Sequence, residues 1–207
     1  MKVSYLESDL LKEGKIIAGI DEAGRGAIAG PVVAAAILLK ENQVYPEGID
    51  DSKKLSPKKR SILFKALRES STQFTIGIID NYTIDKINIL ESTFEAMKAA
   101  VKNLHKQPDY LLIDGNFFRN IGIPYSTVIG GDAKCLSIAA ASIIAKVSRD
   151  NWMMEIADKI YPQYNFKSNK GYGTEEHFSS IHKYGLTPLH RRTFLAKYFN
   201  RELRMFE

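Results

Sequence analysis

Three apolar segments of this chain each lead into an acidic residue near glycine, and this pattern constrains the fold more than any other feature. The segment IIAGI precedes Asp21, YLLI precedes Asp114, and STVI leads through two glycines into Asp132. Short apolar runs bounded by turn residues are typical of buried strands. The sequence therefore predicts a sheet in which acidic side chains converge where the strands end.

Apolar strands alternate with segments of helical periodicity along most of the chain. Apolar residues recur at three- and four-residue spacing from Ile84 to Leu104, which is typical of an amphipathic helix. Ser56 is placed to cap a basic helix with Pro57 at its first position, and the charged leader before Lys15 is assigned to no element. Strands are predicted over residues 15–21, 31–39, 72–80, 110–114 and 126–129, and helices from Pro57, from near Ile84 and from about Cys135 to Ile160.

This order of elements predicts an α/β fold. A chain of 207 residues with 44% hydrophobic content can bury one sizeable core. After the long helix the composition changes to a Gly, Tyr and Lys loop followed by a basic end. We expect an α/β core over residues 1–160 and a helical C-terminal segment over residues 161–207, which together form one compact unit.

Asp21, Glu22, Asp114 and Asp132 are the candidates for a metal site. Mg²⁺ prefers carboxylate oxygens, and two such ions roughly 4 Å apart can serve both oxygens of a phosphoryl displacement. Without a cation, close carboxylates repel one another. Each position alone also fits ordinary turn chemistry. Because strand side chains alternate between faces, we expect the chain to leave strand geometry at Asp21-Glu22, as the small residues that follow permit.

The charge balance and the cysteine and histidine content narrow the class of protein. Basic residues number 29 against 24 acidic ones, and without the four candidate ligands they number 29 against 20, which favours a nucleic-acid partner. A disulfide within the chain is excluded because Cys135 is the single cysteine, and the four histidines lack zinc spacing. We expect the histidines to lie at the surface or to make local hydrogen bonds. The sequence shows no signal segment and no run of about 18 apolar residues, so we expect a cytoplasmic protein.

The glycines in DEAGRGAIAG raise one alternative, the dinucleotide-binding loop of an oxidoreductase. The segment GRGAIAG at 24–30, which is called the glycine loop below, follows a strand and approaches the glycine spacing of such loops. A dinucleotide site needs a helix N-terminus for its pyrophosphate, whereas Pro31 leads into a further apolar strand. Two acids also precede the loop where the pyrophosphate would have to lie. The metal-site interpretation is therefore favoured.

Seven motifs, in order and over nearly the whole chain, resemble the ribonuclease HII family. They are DEAGRG at 21–26, GPVVAAA at 30–36, DSKKLS at 51–56, DG at 114–115, GDAKCLSIAAASIIAKVSRD at 131–150, KGYGTEEH at 170–177 and HRRTF at 190–194. One departure is Ala27, where the family often has proline, which alters loop stiffness and not chemistry. The related ribonuclease HIII family carries an added N-terminal domain for which the residues before Asp21 leave no room.

The resemblance implies a fold, an activity and a set of metal ligands. The fold is a ribonuclease H-like mixed five-stranded sheet flanked by helices, with a C-terminal helical segment completing the substrate groove. The activity is endonuclease cleavage 5' of a ribonucleotide, in RNA/DNA hybrids or in duplex DNA, by a monomer that uses two Mg²⁺ or Mn²⁺ ions. The carboxylates that bind metal and catalyse carry over to Asp21, Glu22, Asp114 and Asp132. A non-catalytic nucleic-acid binder on the same fold remains an alternative, which intact carboxylates disfavour.

The resemblance also implies substrate contacts. Gly24, Arg25 and Gly26 are expected against the ribonucleotide, where a closely approaching backbone can sense the 2'-hydroxyl. Tyr172 is similar to the family tyrosine that stacks on the sugar just 3' of the ribonucleotide. The candidate phosphate contacts, each of which also fits a solvated basic face, are Ser52, Lys53, Lys54, Lys146, Arg191 and Arg192.

Overall fold

The structure is a computed structural model that describes residues 3–41, 44–70 and 72–196. Five strands and seven α-helices are assigned within these ranges. They are α1 Tyr5–Lys12, β1 Ile17–Ala23, β2 Val32–Leu39, α2 Pro57–Glu69, β3 Phe74–Ile79, α3 Asn81–Lys102, β4 Tyr110–Asp114, β5 Tyr125–Val128, α4 Leu136–Trp152, α5 Asp158–Ile160, α6 Phe166–Asn169 and α7 Glu175–Tyr184.

The five strands form one mixed sheet in the order β3-β2-β1-β4-β5. The strands β1, β2 and β3 pair antiparallel, while β4 pairs parallel with β1 and β5 parallel with β4. The expected mixed five-stranded sheet is confirmed. Because β1 connects directly to the antiparallel β2, no helix follows the glycine loop, and the dinucleotide-binding alternative is wrong.

Helices cover both faces of the sheet. One face, with Ile17 and Ile37, packs against α4 and α2, and the other, with Ile20, packs against α3. Helix α4 lies so close to β1 that a Cβ at Gly19 would lie 2.3 Å from the carbonyl carbon of Ser137. Small residues on both elements therefore let α4 lie directly on the central strand, beside the end at which the acidic residues emerge.

The residues after α4 build a separate apolar cluster. A π-helical turn, Met153–Ala157, interrupts the long helix predicted to Ile160. Met153, Tyr164, Phe166 and Ile181 pack together with Ala29 of the glycine loop. The C-terminal helices thereby cover the loop between β1 and β2, although the division at residue 160 stays a prediction.

Local signals set several boundaries. The predicted cap at Ser56 is confirmed, since its hydroxyl accepts from the Lys59 amide at 3.2 Å. The helix predicted through Ile84 contains a break at Asn88, whose φ is 67°. The Asn88 side chain accepts from the amides of Leu90 and Glu91 at 2.9 and 3.1 Å and so caps the second half of α3. Apolar periodicity continues across this break, which is why the sequence predicted one helix.

The charged leader contains a helix instead of irregular chain. Glu7 on α1 is fully buried, and its carboxylate accepts from the amides of Leu136 and Ser137 at 3.0 and 2.8 Å. A carboxylate at a helix N-terminus satisfies free amides and interacts favourably with the helix dipole. Helix α1 therefore holds the start of α4. Within the described ranges, every helix is too short or too polar to cross a membrane.

Candidate active site

Two parallel strands and a following turn bring three acidic side chains together. The pairing of Ile20 with Ile113 sets Asp21 and Asp114 at the same end of neighbouring strands, and Asp132 lies in the short helical turn before α4. One carboxylate oxygen from each lies within 4.8 Å of the others. The predicted convergence is found for these three residues, which are called the carboxylate cluster below.

Glu22 is not one of these three, but it borders the cavity that opens beside the carboxylate cluster. The strand β1 continues through Ala23 with Glu22 opposite Ala34, so the expectation that the chain leaves strand geometry at Asp21-Glu22 is wrong. Since β4 stops pairing with β1 at Ile20, the edge beyond is open, and side chains from both faces can border one cavity. The Glu22 carboxylate accepts from the Arg25 guanidinium at 3.2 Å.

The carboxylate cluster carries more negative charge than its protein surroundings compensate. Burial raises the pKa of Asp21 well above its usual range, and the nearby charges of Glu22 and Asp114 raise it further. Burial also raises the pKa of Asp114. The Lys53 ammonium lies 3.0 Å from the Asp132 carboxylate and supplies one positive charge. Three carboxylates facing one ammonium favour the binding of a further cation.

A cavity of about 310 Å³ opens beside the cluster. Its wall contains Asp21, Glu22 and Asp114 together with five residues that the sequence or the resemblance pointed to and two that neither did. The five are Gly24, Ser52, Lys53, Lys146 and Tyr172, and the two are Ala23 and Ser142. The hydroxyls of Ser52 and Ser142 lie 2.7 Å apart, and this hydrogen bond connects the loop after β2 to α4 in the cavity wall.

Two fully buried arginines donate hydrogen bonds to backbone carbonyls in and beside the glycine loop. The guanidinium of Arg149 donates to the carbonyls of Pro31 at 2.9 Å, Lys170 at 2.9 Å and Ala29 at 3.1 Å. Burial lowers the pKa of Arg149. The sequence held one signal for this role, since Arg149 continues the four-residue spacing of buried Ala141 and Ala145 on α4. A charge at an apolar helical position indicates a buried partner.

Arg191 is the second buried arginine, and with Arg149 it is called the arginine pair below. Its guanidinium donates to the carbonyls of Gly30 and Arg25, both at 3.0 Å, and its Nη2 has no hydrogen-bond partner among the described residues. Burial lowers its pKa to about 9. Because the side chain is completely buried, the structure gives no support for the predicted contact between Arg191 and a substrate phosphate, which stays a prediction. This residue positions the loop instead.

Arg149 connects the glycine loop to Tyr172. At Gly24, φ is +95°, and a Cβ would lie 2.0 Å from the Arg149 Nε, so only glycine fits. The guanidinium carbon of Arg149 lies 5.1 Å from the centre of the Tyr172 ring, and the Lys146 ammonium lies 5.1 Å from the same ring. The loop and the tyrosine therefore share one anchor.

A buried histidine pair fixes the backbone of Tyr172. His177 Nδ1 lies 2.9 Å from the Tyr172 carbonyl, His177 Nε2 lies 3.1 Å from His190 Nε2, and the Thr187 amide donates to His190 Nδ1 at 2.8 Å. These contacts are satisfied when both rings are neutral, with the Nδ1 proton on His177 and the Nε2 proton on His190. Burial lowers the pKa of His190 to about 4. These two histidines make local hydrogen bonds, which is one of the two outcomes expected from the sequence.

The remaining candidates lie outside the cavity wall. Lys54 is exposed, and its amide donates to the Asp51 carbonyl at 3.0 Å. The Arg192 amide donates to the Asp85 carboxylate at 2.8 Å, and the Thr193 amide donates to the same carboxylate. The side chain of Arg25 is half exposed beside Glu22. The structure therefore gives no support for a phosphate contact at Lys54 or Arg192.

Comparisons with known proteins identify the family of this chain. Residues 18–198 match the sequence model of the ribonuclease HII family. Ribonuclease HII of Clostridioides difficile (strain 630) is 52% identical over 194 residues, which cover 93% of this chain and 75% of that protein. Ribonuclease HII of Caldicellulosiruptor saccharolyticus is 48% identical over 191 residues, which cover 92% of each chain.

Solved structures give the same result for the fold. The crystal structure of the ribonuclease H2 from Pyrococcus horikoshii OT3 superposes with a TM-score of 0.70 at 26% identity, covering 90% of this chain and 98% of that one. The family match spans most of the sequence, and the carboxylate cluster lies within it. The chain therefore belongs to the ribonuclease HII family, and it is a ribonuclease H, a metal-dependent endoribonuclease.

Proposed function

We propose that this enzyme hydrolyses the phosphodiester bond on the 5' side of a ribonucleotide, leaving a 3'-hydroxyl and a 5'-phosphate. Its substrates are RNA/DNA hybrids and single ribonucleotides embedded in duplex DNA. The observation that carries the proposal is that Gly24 and Tyr172 border the same cavity as Asp21 and Asp114. Groups suited to reading a ribonucleotide and groups suited to hydrolysis thus face one space.

The carboxylates fit a pair of divalent cations. Carboxylate oxygens are the ligands that Mg²⁺ and Mn²⁺ prefer, and the raised pKa of buried Asp21 reflects a charge that a cation would stabilise. We propose Asp21, Glu22, Asp114 and Asp132 as the ligands, with Glu22 completing the set from the neighbouring strand face. When bound, two such ions supply an activated water and stabilise the leaving 3' oxygen.

The glycine loop is suited to contact the ribonucleotide. Gly24 is glycine because Arg149 and a positive φ require it. Gly26 differs, since a Cβ there would meet no atom within 4 Å and its φ lies outside the left-handed region. The fold of the described residues thus does not explain a glycine at this position, whereas close approach of a substrate does. We propose that the backbone at Gly26 approaches the 2'-hydroxyl and that Arg25 contacts a phosphate.

Tyr172 is suited to stack on the sugar that follows the ribonucleotide. Its ring borders the carboxylate cavity and is held by two cations on its flank, while its backbone is fixed by His177. A ring held on several sides stacks with little loss of conformational entropy on binding. We propose that deoxyribose at this position is preferred, so that Tyr172 recognises the junction from RNA to DNA.

The basic residues around the cavity are suited to position the duplex. Ser52, Lys53 and Lys146 line its wall, and the side chain of Lys53 is 79% exposed despite its contact with Asp132. Phosphate contacts of this kind set register and orientation without reading base sequence. A cytoplasmic location, a monomeric state and a role in removing ribonucleotides from DNA stay predictions.

The test is cleavage of an end-labelled DNA duplex that contains one ribonucleotide, with Mg²⁺, Mn²⁺ or a chelator. An all-DNA duplex and an RNA/DNA hybrid serve as controls. We expect a cut on the 5' side of the ribonucleotide that requires metal, a product with a 3'-hydroxyl, and no cut in the all-DNA duplex. A cut on the 3' side, or equal cleavage of the all-DNA duplex, contradicts the proposal.

A further inference from the structure

A second cavity lies beside the carboxylate cavity and shares part of its wall. It has a volume of about 420 Å³, and both cavities are bordered by Lys146 and Tyr172. Residues from the first turn of α2, from α4 and from the segment around Lys170 complete it. The ring of Tyr172 therefore separates two neighbouring spaces, one with the carboxylate cluster and the other without it.

Three cations line the second cavity and exceed the acidic side chains there. Arg60, Lys146 and Lys170 are all half-buried in its wall. The acidic side chain in the wall is Asp150, which pairs with Lys146 at 2.8 Å. The charge of Asp158, which lies outside the wall, also raises the pKa of Lys170. The described wall residues thus leave two positive charges beyond the ion pair.

Backbone carbonyls, and not carboxylates, hold the two remaining cations. Arg60 donates to the carbonyls of Ser52 at 2.7 Å and Leu55 at 2.6 Å, and Lys170 donates to the carbonyl of Lys167. Burial lowers the pKa of Lys170, and the charges of Lys146 and Arg60 lower it further, while the carboxylates of Asp150 and Asp158 partly oppose this shift. Half-buried cations that repel one another form a favourable site for an anion.

We propose that this second cavity binds the backbone phosphate that follows the deoxyribose stacked on Tyr172, on the 3' side of the ribonucleotide. The inference rests on the proposed function, which assigns the sugar at Tyr172 to the cleaved strand. A strand that passes from the carboxylate cluster over Tyr172 next enters the space lined by Arg60 and Lys170. The contact involves no base, so it increases affinity for the DNA beyond the junction without adding sequence preference.

The test uses Lys170→Gln, which removes the charge and keeps the backbone carbonyl that accepts from Arg149. Two duplexes with one ribonucleotide differ only in the cleaved strand, which either continues in the 3' direction or ends after the first deoxynucleotide. We expect Lys170→Gln to lower kcat/KM roughly tenfold on the continuous duplex and to leave the shortened one unchanged, because the charge-assisted contact exists only in the first. The salt dependence of binding should weaken by about one released counterion.

Two further variants serve as controls. Lys167→Gln changes an exposed lysine of the same segment that does not line the cavity, and we expect no effect on either duplex. Lys170→Arg retains the charge and should restore most of kcat/KM on the continuous duplex. Equal loss on both duplexes, no loss on either, or a loss that follows the length of the complementary strand overturns the proposal.

Affinity measurements separate this inference from the proposed function. The same duplexes are bound with Ca²⁺, which also prefers carboxylate oxygens. If the wild-type enzyme cuts neither duplex, the proposed function fails, but the affinity ratio between the two duplexes still decides the subsite. A ratio that Lys170→Gln leaves unchanged contradicts a phosphate contact at this position.

Discussion

The carboxylate cluster and the arginine pair both bury charge, and they resolve it in opposite ways. In the cluster, three carboxylate oxygens lie within 4.8 Å of one another and one Lys53 ammonium faces them. In the arginine pair, Arg149 donates three hydrogen bonds and Arg191 two, all to backbone carbonyls. The arginines complete the scaffold, whereas the cluster keeps an excess of charge that a ligand can compensate.

This difference shows which kind of buried charge marks a reactive site. Burying a charge is costly unless it is paired or hydrogen-bonded. Arg149 meets this condition, and Arg191 meets it at every nitrogen but Nη2, through carbonyls of the loop over residues 25–31 and of Lys170. Asp21 accepts from the Glu22 amide at 2.7 Å but has no salt bridge among the described residues, and the charges of Glu22 and Asp114 raise its pKa. The unpaired excess of charge, and not burial itself, therefore identifies the place where a cation and substrate bind.

Asp21→Asn should have the largest effect and tests the cluster directly. We expect cleavage to fall by at least about a thousandfold while duplex affinity changes little, because the variant removes a metal ligand and no surface contact. Without metal the variant should be more stable than the wild type, since one of the repelling charges is gone. Cleavage assays, binding titrations and urea unfolding in chelator measure these three quantities.

The matched control for Asp21→Asn is Asp9→Asn. The Asp9 side chain is 40% exposed and pairs with Lys12 at 3.7 Å, so its replacement should leave cleavage and stability unchanged. Loss of duplex binding equal to the loss of cleavage would count against a catalytic role for Asp21. A metal-free Asp21→Asn protein less stable than the wild type would contradict the contrast between the two regions.

Arg149→Met should have the next largest effect, and on stability. The variant leaves three buried carbonyls without their donor, so we expect the free energy of unfolding to fall by about 4 kcal/mol. Arg149→Lys should not restore it, because an ammonium cannot reproduce the forked geometry of the guanidinium. Urea unfolding with and without Mg²⁺ measures the loss, which should be the same in both conditions. A loss that Mg²⁺ abolishes would place Arg149 with the cluster.

Mild acid should change the stability contributions of the histidine pair and of the carboxylate cluster in opposite directions. The pKa of His190 lies near 4 in the fold, below its ordinary value near 6.5, so folding favours the neutral ring. This contribution is full above about pH 6.5, declines as the pH falls, and by pH 4 has lost about 2 to 3 kcal/mol. The raised pKa values of Asp21 and Asp114 act oppositely and favour the metal-free fold as the pH falls.

The histidine contribution is isolated by comparing the wild type with His190→Gln in chelator. Urea midpoints are measured from pH 7 to pH 4, and the carboxylates are common to both proteins. We expect the wild type to lose more stability than the variant across this range. Equal slopes would show that the neutral form of His190 does not contribute to stability, which contradicts this assignment.

Local patterns in the sequence predicted the elements and the acidic residues. The strand Tyr110–Asp114 lies where the apolar run predicted it, and Pro57 opens α2 as the cap and proline indicated. Both depend on neighbouring residues, which the sequence shows directly. The convergence of Asp21, Asp114 and Asp132 followed from their common position after apolar runs, since parallel strands end at one edge.

Contacts between distant residues could not be predicted in the same way. Arg191 and Gly30 are 161 positions apart, and Glu7 meets Ser137 across 130 positions. A basic segment such as HRR indicates a solvated face or a phosphate contact equally well until the packing is known. The backbone geometry at Glu22 was predicted wrongly for a related reason, because regular alternation does not reveal that β4 stops pairing at Ile20 and leaves an open edge.

Tyr172→Ala should have the smallest effect and sharpens the boundary between the two regions, because the residue belongs to both. Its ring lies over Arg149, and its outer surface borders the cavity of the carboxylate cluster. If the ring stacks on the sugar after the ribonucleotide, the variant should lose roughly tenfold of its preference for deoxyribose there, equivalent to about 1.4 kcal/mol. Tyr172→Phe keeps the ring and should keep the preference. Competition between duplexes with deoxyribose or ribose at that position measures it, and an unchanged ratio in Tyr172→Ala would assign the tyrosine to the scaffold alone.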